Sequence, residues 1–309
     1  MLTAIEGLHH VTSMAADARA TDAFFTRTLG LRRVKKTVNF DAPDVYHLYY
    51  ADGAGTPGSV MTYFPFPHIA RRRRGAGEVA TTAYAVPPGA LPFWAERLAR
   101  EGVEGLASGE RFGEPVLAFE GPDGDEFALV ETPGDARTPW QADGIPEDAA
   151  IRGFHSVALR LKDATPEAEL LRFMGYEEAA RDGTVTRLVR AGGNGAHRID
   201  LESVAGAPPA RLGAGSVHHI AFAVPDRDAQ AEVRRAIAAE GFNVTPQIDR
   251  DYFWAIYFRT PGGVLFEVAT DGPGFARDED PAHLGEALKL PAQHAHLRER
   301  IERQLVPLD

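Results

Sequence analysis

Two histidine pairs and one glutamate carry the chemistry that this sequence offers. The pairs stand in near-copies of one segment, Leu8-His-His-Val-Thr-Ser-Met-Ala-Ala-Asp17 and Ser216-Val-His-His-Ile-Ala-Phe-Ala-Val-Pro-Asp226. In both, the second histidine lies seven residues before an aspartate (10 to 17, 219 to 226), which matches His10 with His219. Successive side chains of an extended strand point to opposite faces, so His219, Ala221 and Ala223 share one face while His218, Ile220 and Phe222 share the other. Two imidazoles at equivalent points of repeated strands can meet on a pseudo-twofold axis. Glu267, in the apolar run Phe266-Glu-Val-Ala269, would complete a metal site, because a carboxylate on a core-forming strand is costly unless paired or on a metal. The chain has no cysteine, so any metal must be held by His, Asp or Glu. Alternation turns His9 and His218 away from this face unless a β-bulge aims both members of a pair inward.

The elements that must position these residues recur along the chain. A short apolar strand, an amphipathic helix closing on glycine and three further strands occur four times. The helices end at Gly30, Gly102, Gly175 and Gly241, each followed by a large apolar residue: Leu31, Val103, Tyr176 and Phe242. Strand pairs follow, such as Tyr46 to Tyr50 with Ser59 to Tyr63, and Ala255 to Phe258 with Val264 to Val268. Glycine-containing turns such as Thr260-Pro-Gly-Gly263 join them. The pattern predicts an α+β fold of four βαβββ modules forming two cup-shaped mixed sheets, with a C-terminal helical tail. A break near Pro146 divides it into residues 1–146 (modules one and two), 147–274 (modules three and four) and a tail, 275–309. Counting back from the helix glycines puts Thr81 and Ser156 at the places of His10 and His219 in the inner modules, so only modules one and four carry both histidines. Those two must then face each other in one cup. Superposing Gly58 on Gly263 puts Thr62 where module four has Glu267. Asp200 and Glu202 alternate on a strand of module three, but Ser156 leaves them no histidine partner for a second site.

Composition narrows the function from outside. A formal charge of -11 argues against a nucleic-acid surface. The one basic run, Arg71 to Arg74, reads as a solvated loop. No stretch approaches the roughly 18 apolar residues of a membrane span, and no signal-peptide pattern opens the chain, which points to a cytoplasmic protein. Self-association into a homo-oligomer is left open.

Taken together, Leu8-His-His-Val-Thr12, Val38-Asn-Phe-Asp-Ala-Pro-Asp-Val-Tyr-His-Leu-Tyr-Tyr50, Phe64-Pro-Phe-Pro67, Val217-His-His-Ile-Ala-Phe222 and Asp249-Arg-Asp-Tyr-Phe-Trp-Ala-Ile-Tyr-Phe-Arg-Thr-Pro-Gly-Gly263 resemble the vicinal oxygen chelate superfamily. Within it, the chain is similar over almost its whole length to ring-cleaving dioxygenases that open hydroquinones. The resemblance implies that His10, His219 and Glu267 bind Fe(II), with Mn(II) as the alternative, and that His9, Thr12, His218, Arg250 and Tyr257 line the pocket. It implies a small aromatic substrate and O2 as partners and a ring-opened acid as product. His218 is then the candidate acid or base, with Tyr257 and Arg250 orienting an anionic substrate oxygen. A glyoxalase-type isomerase would use a carboxylate from both modules. Thr62 breaks that symmetry and leaves a two-histidine, one-carboxylate face of the kind non-haem Fe(II) oxygenases use, which favours a dioxygenase. An extradiol catechol dioxygenase and a metal-free binding or resistance protein of the same fold are the alternatives.

Overall fold

Sixteen strands in two sheets carry the module pattern in the computed structural model, which describes residues 1–308. Module one contributes β1 (Leu8–Ala15), β2 (Arg32–Val38), β3 (Tyr46–Ala51) and β4 (Val60–Pro65). Module two contributes β5 (Glu78–Val86), β6 (Ala107–Arg111), β7 (Glu114–Glu120) and β8 (Glu126–Glu131). Module three has β9 (Gly153–Leu161), β10 (Glu177–Asp182), β11 (Val185–Val189) and β12 (Arg198–Ser203). Module four has β13 (Ser216–Val224), β14 (Ile248–Asp249), β15 (Phe253–Arg259) and β16 (Leu265–Pro273). One sheet has the order β14-β15-β16-β13-β1-β4-β3-β2 and the other β10-β11-β12-β9-β5-β8-β7-β6. Each sheet is thus built from one module on either side of residue 146: one with four, and two with three.

After the first strand of every module comes a helix: α1 (Ala18–Ala23), α2 (Leu91–Arg100), α3 (Thr165–Phe173) and α4 (Arg227–Ala239). The seven-residue spacing from histidine to aspartate has a local cause. The strand runs out, and the aspartate caps the next helix: Asp17 Oδ1 accepts from the Arg19 and Ala20 amides, and Asp226 Oδ1 from the Ala229 amide. At the far ends Gly30 and Gly241 take φ of 67° and 90°, a left-handed region that a side chain would strain. The first helix differs from expectation. It is α-helical only to Ala23 and widens into a π turn over Phe24–Thr28, which buries both Phe24 and Phe25.

The convex faces of the two sheets share one apolar core, with Val11, Tyr63 and Phe222 from the first sheet and Tyr84, Phe127 and Leu159 from the second. The concave faces are left to form the cups. Arg71, Arg73 and Arg74 are exposed, as a solvated loop would have them, and Arg72 is the exception. This run lies alongside residues 209–214, the other connection between the sheets, through bridges Arg71 to Ala214, Arg73 to Arg211 and Ala76 to Pro209. The Arg72 side chain is 5% exposed and pairs with Glu78 and Glu126, each at 3.4 Å, while Arg74 pairs with Glu120 at 2.8 Å. Carboxylates from β5, β7 and β8 hold together charges that would otherwise repel.

Beyond Gly274 the tail forms 3₁₀ turns at Phe275–Arg277, Pro281–His283 and Ala292–Leu297 and a helix, α5 (Arg298–Gln304). It is fastened to module one. Lys35, fully buried on β2, pairs with Asp278 at 2.6 Å and also with Glu279, and Ile301 enters the core. Among the described residues no helix is long and apolar enough to cross a membrane.

Candidate metal centre and cavity

β1 and β13 run antiparallel at the centre of the first sheet, and each is bulged at the first histidine of its pair. The register passes from Leu8↔Phe222 to His10↔Ala221, and from Thr12↔His219 to Ser13↔Val217, so His9 and His218 are the extra residues. A bulge breaks the alternation, and each first histidine comes to lie against the second. His9 Nδ1 is 2.9 Å from His10 Nδ1, and His218 Nδ1 is 2.7 Å from His219 Nδ1.

The second histidines meet across the strand pair, with Nε2 atoms 3.4 Å apart. Glu267 on β16 lies opposite Ala221, two residues beyond His219, and its Oε2 is 2.9 Å from His219 Nε2 and 3.3 Å from His10 Nε2. All three side chains are buried, and among the described residues they form the one cluster of three His, Asp or Glu donors close enough to share an ion. Although near the imidazole nitrogens, neither carboxylate oxygen of Glu267 has a partner in hydrogen-bond geometry. Three potential donor atoms converge there, an arrangement that a cation would satisfy. Three donors about 2.1 Å from a common point and at right angles to one another stand about 3.0 Å apart, so the spacing fits one face of a divalent ion's coordination shell. Burial alone would raise the Glu267 carboxyl, yet His10 and His219 beside it hold it well below the usual range.

An imidazole that gives Nε2 to a metal keeps its proton on Nδ1. With Nε2 on a metal, His10 would donate to His9 Nδ1 and His219 to His218 Nδ1. Burial, reinforced by the neighbouring imidazole, lowers His9 to about 3 and His218 to about 4, so both are neutral acceptors near pH 7. His9 passes its other bond to the Thr270 backbone, whereas the free nitrogen of His218 is left for the cavity.

That cavity, about 430 Å³, opens over the three donors. Phe64, Phe66, Phe253 and Leu265 supply apolar wall, and His218, Arg250 and Tyr257 supply polar groups. Arg250 Nε donates to the Tyr257 hydroxyl at 3.3 Å, and its guanidinium also faces the Phe40 ring at 5.3 Å. Tyr257 lies opposite Glu267 in the β15–β16 register, and burial raises its phenol far above the ordinary value. His9 and Thr12 are outside the wall. His9 stands behind His10, and Thr12 Oγ1 accepts from Thr62 at 2.8 Å, so any influence they have is exerted through those neighbours.

Thr62 occupies the place that Glu267 has in module four. It pairs with Thr12 on β1 and Tyr49 on β3, as Glu267 pairs with Ala221 on β13 and Tyr257 on β15. The same register makes Tyr49 the counterpart of Tyr257. Tyr49 and His47 both line the cavity, a placement not anticipated from sequence; β-strand alternation within Tyr46-His-Leu-Tyr-Tyr50 already put them on one face.

In the second cup, Thr81 and Ser156 hold the histidine places and Asp200 the place of Glu267, since Thr81 and Asp200 both lie opposite Ala158. No ion is required there. Arg187, at the place of Tyr257, grips Asp200 through Nε at 2.7 Å and Nη2 at 2.9 Å, and the cavity left is about 40 Å³.

Residues 7–268 match the sequence profile described as the Glyoxalase/Bleomycin resistance protein/Dioxygenase superfamily. MhqO of Bacillus subtilis, assigned by inference as a ring-cleaving dioxygenase, is 40% identical over 98% of this chain and 96% of its own. The chlorohydroquinone/hydroquinone 1,2-dioxygenase of Sphingobium indicum is 35% identical over 97% of this chain and 96% of its own. A crystal structure of a Bacillus subtilis protein, likewise assigned as a dioxygenase, superposes with a TM-score of 0.95 at 40% identity over 99% of this chain and 98% of that one. Glyoxalase I from Zea mays shares the fold at a TM-score of 0.63 and 15% identity, over 86% of this chain and 92% of that one. From the profile match and the full-length identities, the chain belongs to the Glyoxalase/Bleomycin resistance protein/Dioxygenase superfamily.

Proposed function

We propose that this ring-cleaving dioxygenase is Fe(II)-dependent, acts on a hydroquinone (a para-dihydroxybenzene) and incorporates O2 to give a ring-opened acid in the cytoplasm. The observation that carries the reading is the three-donor face of His10, His219 and Glu267 beneath an aromatic-walled cavity, with a hydroxyl, Thr62, where a fourth donor would stand. Fe(II) held there would supply electron exchange between an electron-rich ring and O2; the same donor set also suits Mn(II).

The protein's own groups do the rest. His9 and His218 accept the Nδ1 protons of the two ligand imidazoles and fix their orientation. Apolar wall from Phe64, Phe253 and Leu265 excludes water and holds a ring edge-on to the donors. Arg250, bonded to Tyr257, places a positive charge and a phenol proton where a substrate oxygen becomes anionic. His218, whose Nδ1 is occupied by His219, presents Nε2–H to the cavity as a hydrogen-bond donor to a substrate or oxygen atom.

The test is oxygen uptake by anaerobically Fe(II)-loaded protein offered hydroquinone, catechol and the glutathione–methylglyoxal hemithioacetal in parallel. Uptake with hydroquinone and no hemithioacetal isomerisation is expected. Preference for catechol would replace the para reading with an extradiol one. Hemithioacetal turnover without uptake on any dihydroxybenzene would overturn it.

A further inference from the structure

A hydroquinone that binds as an anion must give up a proton in the cavity, and the hydrogen bonds indicate where it goes. His10 and His219 offer Nε2 to the metal. His218 has its acceptor nitrogen filled by His219, whose Nδ1–H cannot turn away without breaking ligand geometry. One further imidazole lines the cavity, that of His47. Thr62 donates to Thr12 at 2.8 Å, so the Thr62 oxygen is free to accept from His47 Nε2–H at 2.9 Å. His47 Nδ1 then accepts from the Tyr49 hydroxyl at 2.8 Å. The bonds run in one direction, Tyr49 to His47 to Thr62 to Thr12, and Tyr49 is the only member whose donor, a rotatable hydroxyl, both faces the cavity and touches an acceptor nitrogen. The ring is held between Tyr49 and Phe64, at centroid distances of 4.1 and 4.3 Å, and burial, then His10, His219 and Arg250, against Glu267, hold its pKa well below the ordinary imidazole value, so His47 is neutral and its Nδ1 lone pair is open to a proton.

We propose that His47, acting through the Tyr49 hydroxyl, is the base that takes the proton from the substrate's ring hydroxyl. This rests on the dioxygenase reading above. The substrate O–H bond breaks as its proton passes to the Tyr49 oxygen, and Tyr49's own proton passes to His47 Nδ1. The electron pair stays on the substrate oxygen as phenolate, and His47 becomes an imidazolium that still donates Nε2–H to Thr62. No oxidant is needed. The Thr62 hydroxyl thus has a second use at the vacated donor place: it anchors the base.

Full-length Fe(II)-loaded protein would be titrated anaerobically with hydroquinone at pH 7, following near-ultraviolet phenolate absorption, metal content and thermal unfolding, with oxygen uptake measured separately. Wild type should form the phenolate. His47→Phe and His47→Gln should retain metal and fold, form phenolate only at a pH higher by more than about one unit, and lose about 10²- to 10³-fold in kcat/KM. Glutamine can still donate to Thr62 and accept from Tyr49 but cannot hold a proton, so a merely structural His47 would be rescued by it. A His47→Gln protein that forms phenolate and turns over within about threefold of wild type overturns the assignment alone. Wild type that binds hydroquinone without forming phenolate overturns it too, and wild type that neither binds hydroquinone nor takes up O2 with it overturns the functional reading as well.

Discussion

Glu267 is the residue on which the site depends most, because its two buried oxygens have no hydrogen-bond partner and its charge is the only negative one among the three donors. Glu267→Gln keeps the volume and removes the charge. Metal affinity should fall by more than the roughly 10- to 100-fold that loss of a supporting second-layer partner costs, while the protein stays folded; full metal content in elemental analysis would refute the ligand role. Thr62 tests the opposite case. Thr62→Glu puts a carboxylate at the place related to Glu267 by the module repeat, so metal should be retained or bound more tightly while O2 uptake is suppressed by competition for an open position. Unchanged uptake would show that Thr62 does not face that position. These identities could be read from sequence because a repeat supplies its own alignment: Gly58 on Gly263, His10 on His219. His47 could not, since its counterpart in module four, two residues before Tyr257, is Ala255, and a residue without a repeat partner carries no such signal.

At the level of elements, bulges and the tail do what strand alternation cannot. Sequence placed each histidine pair on a strand, but the two bulges that turn His9 and His218 toward their neighbours depend on the register between β1 and β13, which pairs residues about 210 apart and has no local signature. The tail is another case. Gln293 and His294 donate to the carbonyl of Phe40 at 3.2 and 2.8 Å, and Phe40 faces Arg250 in the cavity wall. The composition around 275–309 reads only as helical turns, with no indication of where they dock. Removing both bonds in Gln293→Ala/His294→Ala should loosen the loop over Asn39 to Asp41 and raise KM by roughly 5- to 10-fold, about 1 kcal/mol of lost positioning. Metal content and kcat should stay near wild type. A fall in kcat with KM unchanged would mean the tail acts on the chemistry and not on the cavity wall.

Across the whole molecule, four copies of one module yield one open site and one closed cup, and the difference is electrostatic. In the closed cup Arg187 supplies a positive charge directly to Asp200, where Glu267 has the two imidazoles of His10 and His219 beside it. The two sheets are joined through their convex faces, and a buried charge lies in that joint. Tyr63 on β4 donates to Asp125 Oδ1 at 2.7 Å, and Asp125 belongs to the loop entering β8 of the other sheet. Burial pushes the Asp125 carboxyl up from 3.8 to about 6, only partly offset by the Tyr63 hydrogen bond. A carboxyl raised in the folded state binds more protons there than in the unfolded chain, so its contribution to stability is fully present below about pH 4 and is lost as pH rises to about 6, on the order of 3 kcal/mol in all. Asp125→Asn keeps an oxygen to accept from Tyr63 and removes the titration. The unfolding free energy of the variant relative to wild type should therefore climb between about pH 4 and 6 and stay level above that. Chemical denaturation of both proteins at several pH values, in the presence of a chelator, reads this difference directly. A constant or falling difference over that range would show that Asp125 is not the charge that the joint between the sheets has to carry.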